Sequence, residues 1–185
     1  MNAFTQKTIY AQVGETTRKN PEAFTIVFPH WGRNYARRSN HQKKLAEAMI
    51  AAGADVVLGH GAHMFQEIEK INGQWVIYNL GNFVFNSSGR YEKKKALPFS
   101  FVGLLILRKS NKKMWLNLRL YPIMSNNLKT SYQPRFLTNE EFTSLQQHLL
   151  SWSQQKKKLL RDIRAGQDDI GHFLWLQIRS FSARP

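Results

Sequence analysis

Residues 52–63 read Ala52-Gly53-Ala54-Asp55-Val56-Val57-Leu58-Gly59-His60-Gly61-Ala62-His63, and this stretch decides the fold. Its apolar part, from Ala54 to Leu58, has the length of a strand, and Asp55 near its start is its one polar residue. A strand without a polar face is typical of the centre of a parallel or mixed sheet, where both faces are covered. The sequence therefore predicts a central strand that is followed at once by two histidines.

The residues before this strand predict a helix and a further strand. Ser39 is a suitable N-cap and Gly53 supplies the stop. Between them, apolar residues recur at three- and four-residue spacing: Leu45, Ala46, Met49 and Ile50. Phe24–Phe28 is a β-branched and aromatic run of strand length that Pro29 ends. Strand, helix and strand predict a right-handed βαβ unit.

The residues after it predict two antiparallel pairs. Asn72-Gly73 is a tight-turn dipeptide that joins Phe65–Ile71 to a return strand at Trp75–Tyr78. Further along, Phe99–Leu107 and Met114–Tyr121 have strand patterns and flank a polar turn. Together with the parallel unit, they predict an α/β fold with a mixed β-sheet and flanking helices.

The two ends of the chain differ from this middle part. Residues 1–22 are polar and lack periodicity, which predicts an irregular lead-in. Thr138 and Glu141 form a capping-box pattern, which predicts that a helix begins there. The residues beyond this helix mix aromatic and basic side chains. We therefore divide the chain into a lead-in at 1–22, a domain at 23–137 and a helical, basic tail at 138–185.

Composition excludes several classes of protein. Hydrophobic residues make up 42% of the 185 positions, which is too many for a disordered chain. No apolar run approaches the roughly 20 residues that cross a bilayer, and the first residues lack the pattern of a secretory signal. The absence of cysteine excludes disulfides and thiolate metal sites. We therefore expect a globular protein without a transmembrane segment, in which only His, Asp, Glu or Asn could hold a metal.

The net charge of +15 is distributed unevenly along the chain. Residues 1–85 contain nine Lys/Arg and six Asp/Glu, whereas residues 86–185 contain eighteen and six. A basic face attracts polyanions, and the lysine runs at 93–95 and 156–158 are either such contacts or ordinary solvated charges. No zinc-finger, RNP or recognition-helix pattern is present, so we expect an anionic polymer as partner and no specific nucleic acid.

Three histidines follow predicted strands. His30 comes after the first strand, and His60 and His63 come after the central one. In α/β sheets, ligands bind outside the carboxyl ends of the strands, where loops bring together residues that are remote in sequence. One such histidine would be interpreted as an ordinary loop residue, but three of them favour a metal site. Neutral imidazole suits Zn, Mn, Fe or Ni.

Four blocks of sequence then resemble a known family. They occur in family-like order and spacing: His30-Trp31-Gly32 with Tyr35 close behind; Gln42 at the start of the helix; residues 52–63; and Tyr78-Asn79-Leu80-Gly81-Asn82-Phe83-Val84-Phe85. The run from His30 to Phe85 resembles the second half of the bacterial capsule-synthesis family CapA, or poly-γ-glutamate capsule biosynthesis family. That family is a branch of the calcineurin-like metallophosphatases.

The resemblance implies a metallophosphatase-like sandwich of mixed sheets, of which this chain would form a part. It implies that His30, His60 and His63 are ligands of a divalent metal (Mn, Fe, Zn or Ni), with two ions in a complete domain. Asn82, Asn34 and Arg90 would be substrate contacts, although Asn82 is equally well interpreted as a residue that stabilises its own turn. The substrate would be an anionic polymer or a phosphoester. The resemblance also suggests the cell envelope, whereas the sequence taken as complete suggests the cytoplasm.

Departures from the family leave two functions open. Family members usually carry Glu where this chain has Asn34, and Pro where it has Ala62. The family's early Asp and its Asn-Asn-His block are absent from residues 1–29, and Asp55 lies at the wrong end of its strand to replace them. One hypothesis is a CapA-like protein with a hydrolase fold and a partial histidine metal site. The other is a non-catalytic, polyanion-binding subunit or half-domain that a partner polypeptide completes, so whether the chain is an enzyme stays open.

Overall fold

The computed structural model describes residues 5–87, 89–110, 113–153 and 156–182. Its helices are α1 (Gln6–Lys19), α2 (Asn40–Ala51), α3 (Arg90–Lys94), α4 (Asn139–Trp152) and α5 (Lys156–Asp162). Its strands are β1 (Ile26–Val27), β2 (Val56–Leu58), β3 (Ile68–Ile71), β4 (Gln74–Ile77), β5 (Phe99–Ser110), β6 (Lys113–Met124), β7 (Arg135–Phe136), β8 (Arg164–Gln167) and β9 (His172–Ser182). The predicted α/β class with helices flanking the sheets is confirmed. No helix among these residues is long and apolar enough to cross a membrane.

The first sheet contains the strands around the deciding stretch. Its order is β1-β2-β4-β3, in which β1, β2 and β4 are parallel and β3 is antiparallel to β4. The hairpin turns at Asn72-Gly73, where both residues have positive φ, as a tight two-residue turn requires. The predicted mixed sheet, its hairpin and the helix between β1 and β2 are therefore confirmed.

The first sheet is covered on both faces, which explains why β2 has no polar face. Val57 and Val76 pack against a cluster that includes Ile9 of α1 and Met49 of α2. Val56 on the opposite face belongs to a larger core that also contains residues of the second sheet and of α4. Complete burial of an aliphatic side chain contributes about 1.5–3 kcal/mol to folding. The order of layers is therefore α1 and α2, the first sheet, and then the second sheet.

The second sheet is antiparallel throughout. Its order is β5-β6-β9-β8, and β7 also pairs with β6. Leu118 and Leu176 are fully buried against the first sheet. The Trp75 indole N–H donates to the Gln177 carbonyl oxygen at 2.8 Å, which joins β4 to β9. The strands β5 and β6 therefore belong to a separate sheet, because they pair with each other and with β9 and not with β4.

Both ends of the chain are more regular than the sequence predicted. The described part of the lead-in forms α1, which Thr5 and Thr8 begin with a capping box and which buries Ile9. The helix after Thr138 is confirmed as α4, again with a capping box. The prediction of a helical tail was wrong beyond Asp162, because the strands β8 and β9 follow. Residues 1–4, 154–155 and 183–185 of these two segments lie outside the described residues, and the three-part division of the chain stays a prediction.

Candidate functional site

His30 and His60 lie side by side at the carboxyl ends of β1 and β2. They form an isolated parallel bridge, and the His60 N–H donates to the Pro29 carbonyl oxygen at 3.0 Å. The two imidazole rings meet edge to face, with centroids 4.6 Å apart, and Phe28 stacks on His60 at 4.3 Å. Burial, and next the neighbouring charge of His30, hold the pKa of His60 below its usual range. The His60 ring is therefore available as a neutral imidazole.

His63 lies nearby, and a hydrogen bond fixes its ring. Its Nδ1 is 2.8 Å from the side-chain oxygen of Asn82. The Asn82 amide nitrogen donates to the Tyr91 hydroxyl at 3.1 Å, so the amide oxygen faces His63. An oxygen of this kind only accepts, and therefore Nδ1 of His63 must carry the proton. In the neutral form of the ring, the lone pair for a ligand is then on Nε2 of His63.

Tyr35 covers the His63 ring from one side. The two rings stack at 5.4 Å, and both residues have positive φ, which is uncommon outside glycine. Such backbone strain is found frequently at functional sites. Among the described residues, the buried Tyr35 hydroxyl has no hydrogen-bond partner of good geometry. Burial raises the pKa of Tyr35, while nearby Asn82 and Arg90 lower it in part, so the hydroxyl remains a proton donor.

Two glycines allow this close packing. A Cβ added to Gly59 would overlap the Tyr78 carbonyl oxygen, which the Trp31 indole N–H reaches at 2.7 Å. A Cβ added to Gly61 would lie 2.8 Å from the His30 ring, and Gly61 also has φ of +104°. The glycines of the deciding stretch therefore let the backbone approach Tyr78 and His30.

The three predicted substrate contacts lie in different surroundings. Asn82 is buried and bonded to His63 and Tyr91, whereas the turn beside it is held by Asn79, which accepts from the Gly81 N–H at 2.9 Å. Arg90 is exposed at the start of α3 and close enough to Tyr35 to influence its pKa. Asn34 is exposed in the turn before Tyr35. Asn82 and Arg90 therefore lie close to His63 and its ring partner Tyr35.

Sequence reasoning missed Tyr91, which connects several parts of the site. Its hydroxyl donates to the His63 carbonyl oxygen at 2.8 Å and lies 2.8 Å from the Ser125 hydroxyl. Nothing in the pattern of residues 90–95 distinguishes a buried tyrosine from a solvated basic run.

The predicted role of Asp55 outside the site agrees with its contacts, because its carboxylate accepts from the Thr25 N–H at 2.8 Å.

A cavity of about 190 Å³ lies next to His63. Phe85, whose ring contacts the His63 ring at 4.5 Å, also lines this cavity. Apolar and amide side chains share the rest of the lining, among them Phe83, Asn86, Asn127 and Tyr132. The cavity therefore offers both stacking surfaces and hydrogen-bonding groups beside the histidines.

The described residues show one feature of a metal ligand, at His63, but no complete metal site. A metal-bound histidine needs a free ring nitrogen while the other nitrogen donates to an oxygen, as His63 and Asn82 provide. However, nowhere in the described ranges do three or more His, Asp or Glu side chains gather closely enough to hold an ion. Further ligands would have to complete the coordination. The metal site stays a prediction.

Comparison with known families finds a match over the first part of the chain. The family described as bacterial capsule synthesis protein PGA_cap matches residues 1–87, which include His30, His60, His63 and Asn82. Residues 1–87, somewhat less than half of the chain, are therefore similar to the bacterial capsule synthesis protein family. Arg90 and Tyr91 lie beyond the matched segment.

Individual relatives are similar to the same part of the chain. The PGA biosynthesis protein CapA of Bacillus subtilis is 42% identical over 73 residues, which are 39% of this chain and 19% of the relative. The capsule biosynthesis protein CapA of Bacillus anthracis is 37% identical over 81 residues, 43% of this chain and 20% of the relative. A "probable polyglutamine synthesis accessory protein" of Mycobacterium tuberculosis is 33% identical over 72 residues, 38% of this chain and 19% of the relative. The chain thus spans about a fifth of the length of the curated relatives it matches.

Proposed function

We propose that this chain takes part in the synthesis of an anionic cell-surface polymer of the poly-γ-glutamate type. In this proposal, the histidine site, defined as His30, His60, His63, Tyr35 and Asn82, binds an anionic group of the polymer or of a phosphoester used in making it. The observation that carries the proposal is the fixed His63–Asn82 pair at the end of parallel strands, within the segment that matches the capsule synthesis family.

The site has the groups that an anionic ligand needs. Arg90 supplies a positive charge near Tyr35, and the buried Tyr35 hydroxyl, which lies close to Asn82, makes no hydrogen bond of good geometry in the described part of the chain. A hydrogen bond between a charged and a neutral group is about twice as strong as one between neutral groups. The amide and aromatic lining of the adjacent cavity suits an amide-linked polymer. The ligand would therefore place an anionic group near Tyr35 and Arg90 and its chain in the cavity.

We further propose that the chain contributes to a metallophosphatase-type site, in which His30, His60 and His63 would hold a divalent ion. When bound, such an ion would supply Lewis-acid polarisation of a phosphoryl or carbonyl oxygen. The protein's own contribution is to orient His63 through Asn82, to keep the His60 ring neutral, and to offer the Tyr35 and Arg90 donors.

The second candidate is a non-catalytic subunit that binds the polyanion, or a half-domain that a partner polypeptide completes. The lack of a cluster of three metal ligands within the described residues favours it. So does the excess of basic residues after residue 85, where eighteen Lys/Arg face six Asp/Glu. Both candidates use the same histidine site, but only the first requires a metal.

Metal content and polymer binding distinguish the candidates. The protein would be purified without chelator and analysed for Mn, Fe, Zn and Ni, and its binding to γ-linked glutamate oligomers would be measured by calorimetry. The double variant His60→Ala with His63→Ala would be compared with His41→Ala, which removes an exposed imidazole from α2. Near-stoichiometric metal that only the double variant loses supports the metal site. Polymer binding without metal, lost in Arg90→Ala, supports the binding subunit, and the absence of both metal and binding contradicts the proposed function.

A further inference from the structure

Tyr35, whose ring stacks on His63, lies in a strained turn. The Ala36 N–H donates to the Arg33 carbonyl oxygen at 3.3 Å, which makes Tyr35 the third residue of the turn at 33–36. Its φ of 56° is in the left-handed region, which this position of a turn normally reserves for glycine or asparagine. A bulky side chain keeps such a conformation only where the surrounding structure holds it in place from more than one side.

Two hydrogen bonds hold the backbone on either side of the strained torsion. Before it, the Tyr35 N–H donates to the Ala62 carbonyl oxygen at 2.7 Å. After it, the side-chain amide of Gln66 donates to the Ala36 carbonyl oxygen at 2.8 Å. Rotation about φ moves these two backbone groups relative to each other, so it would break one of the two bonds. The Gln66 bond therefore restrains the torsion that sets the Tyr35 ring over His63.

A chain of buried amides fixes the orientation of Gln66. Gln66 is fully buried, and its side-chain oxygen accepts from the Gln42 amide at 2.9 Å. The Gln42 oxygen in turn accepts from the Ser39 N–H at 3.0 Å. A backbone N–H only donates and a carbonyl oxygen only accepts, so both ends of the chain require the Gln66 nitrogen to face Ala36. The backbone of Gln66 is held as well, because its N–H donates to the Asn79 carbonyl oxygen at 3.1 Å.

We propose that Gln66 is a positioning residue of the histidine site, which acts through Ala36 to hold the Tyr35 ring against His63. Burying two amides adds little net stability, because each one gives up its hydrogen bonds to water. A fully satisfied buried network does specify one conformation. The consequence for a ligand rests on the proposed function, in which Tyr35 lies beside the anionic group, whereas the restraint on Tyr35 does not.

The residues after Ala36 have a restraint of their own. The Glu67 carboxylate accepts from the Arg37 Nε at 2.9 Å and from the Arg38 N–H at 3.1 Å. Neither bond involves the Gln66 side chain. Loss of the Gln66 amide should therefore free Tyr35 while residues 37–38 stay attached, and the chain should still fold.

The first test is the contact between the two rings in the protein without ligand. Gln66→Met removes both side-chain hydrogen bonds and keeps an unbranched chain of similar length. In isotope-labelled protein, the nuclear Overhauser effect between the Tyr35 and His63 rings and the ring-current shift of the His63 protons report the stacking. Both signals should be lost in Gln66→Met. Trp75→Phe is the control, because it removes a buried N–H bond to Gln177 at the contact between the sheets and should keep both signals.

Gln66→Glu is a second variant with a narrower defect. Its carboxylate can still accept from Gln42, but it places an oxygen against the Ala36 carbonyl oxygen, so it should lose the same two signals. Circular dichroism and cooperative urea unfolding would show that each variant is folded. A ring contact that survives in the folded variants at position 66, or that is lost equally in Trp75→Phe, would overturn the positioning role.

The second test is binding of γ-linked glutamate oligomers, measured by calorimetry. Gln66→Met should weaken binding about tenfold, which corresponds to the loss of one hydrogen bond to a charged group. Trp75→Phe should bind as the wild type does. Unchanged binding after loss of the ring contact would overturn the consequence for the ligand. A wild-type chain that binds no oligomer would contradict the proposed function alone, because the ring contact is measured without ligand.

Discussion

The two sheets differ in strand length, in strand direction and in whether they carry the candidate site. The first sheet has strands of two to four residues, three of them parallel, and its loops carry His30, His60 and His63. The second sheet has antiparallel strands of up to twelve residues and lies in the strongly basic half of the chain. Only the first sheet lies within the segment that matches the capsule synthesis family. The short parallel strands of the first sheet bring the histidine loops together. The long antiparallel strands of the second sheet pack against the first sheet and complete the core.

The largest effect is expected where the two sheets meet. Leu118→Ala in β6 would remove a fully buried side chain from the shared core and lower the free energy of unfolding by about 2–5 kcal/mol. Its cross-strand partner Leu105 is more than one-third exposed, so Leu105→Ala should cost about 1 kcal/mol or less. Urea denaturation of both variants measures the difference. Equal losses would mean that the second sheet does not pack on the first as described.

Gly59→Ala tests the close packing within the first sheet. The added methyl group would overlap the Tyr78 carbonyl oxygen, which is backbone and moves only with its strand. We expect a loss of about 1–3 kcal/mol in stability. Gly73→Ala in the hairpin is the control, because nothing lies within 4 Å of its added Cβ and only its positive φ opposes the change. A smaller loss for Gly59→Ala than for Gly73→Ala would contradict the packing of β2 on Tyr78.

Asn82→Ala tests how the histidine site of the first region is held in place. It leaves the His63 Nδ1 and the Tyr91 hydroxyl without the amide, so stability should fall by about 1–2 kcal/mol. Nitrogen NMR of the His63 ring should change from one defined tautomer to a mixture. The exposed Asn34→Ala is the matched control and should change stability by less than about 0.5 kcal/mol. An unchanged His63 tautomer in Asn82→Ala would show that Asn82 does not fix the His63 ring.

The smallest effect concerns acid sensitivity in the second region. The hydrogen bonds from Arg135 to Glu141, both 2.7 Å long, hold the pKa of Glu141 below its usual range. Because the folded-state pKa is the lower one, this stability is present above the usual pKa of glutamate and is lost as the pH falls through the folded pKa. Arg135 is partly exposed, so the contribution is below about 1 kcal/mol.

Urea denaturation between about pH 3 and about pH 7 would measure this contribution. Glu141→Gln should remove it and flatten the acid side of the stability curve. Glu15→Gln, which breaks an exposed ion pair on α1, serves as control and should leave the curve unchanged. An acid response that is the same in wild type and Glu141→Gln would assign the sensitivity to other groups.

The first sheet could be predicted from the sequence because its signals are local. The apolar run of β2, the spacing of Leu45 and Met49, and the Asn72-Gly73 turn each specify their structure within a few residues. The proximity of His30 and His60 follows in turn, since both residues end neighbouring parallel strands. What could be predicted was therefore determined by strand length, turn chemistry and periodicity.

The rest could not be predicted because it depends on contacts between distant residues. Nothing in β5 and β6 shows that they pair with β9 and not with β4. The alternation of Leu174, Leu176 and Ile178 in β9 was available as a signal of period two, but aromatic and basic residues between them favoured a helix. The helix α1 was not predicted because its sequence is mostly polar, and it buries few residues. Tyr91 acquires its role only when α3 reaches the His63 loop.

The Tyr91 hydroxyl ties the matched segment to the second half of the chain. It lies outside residues 1–87, yet it contacts Asn82, His63 and Ser125. The matched segment is therefore not a transferable module: joined to a different carboxyl-terminal half, it would lose the group that orients its asparagine.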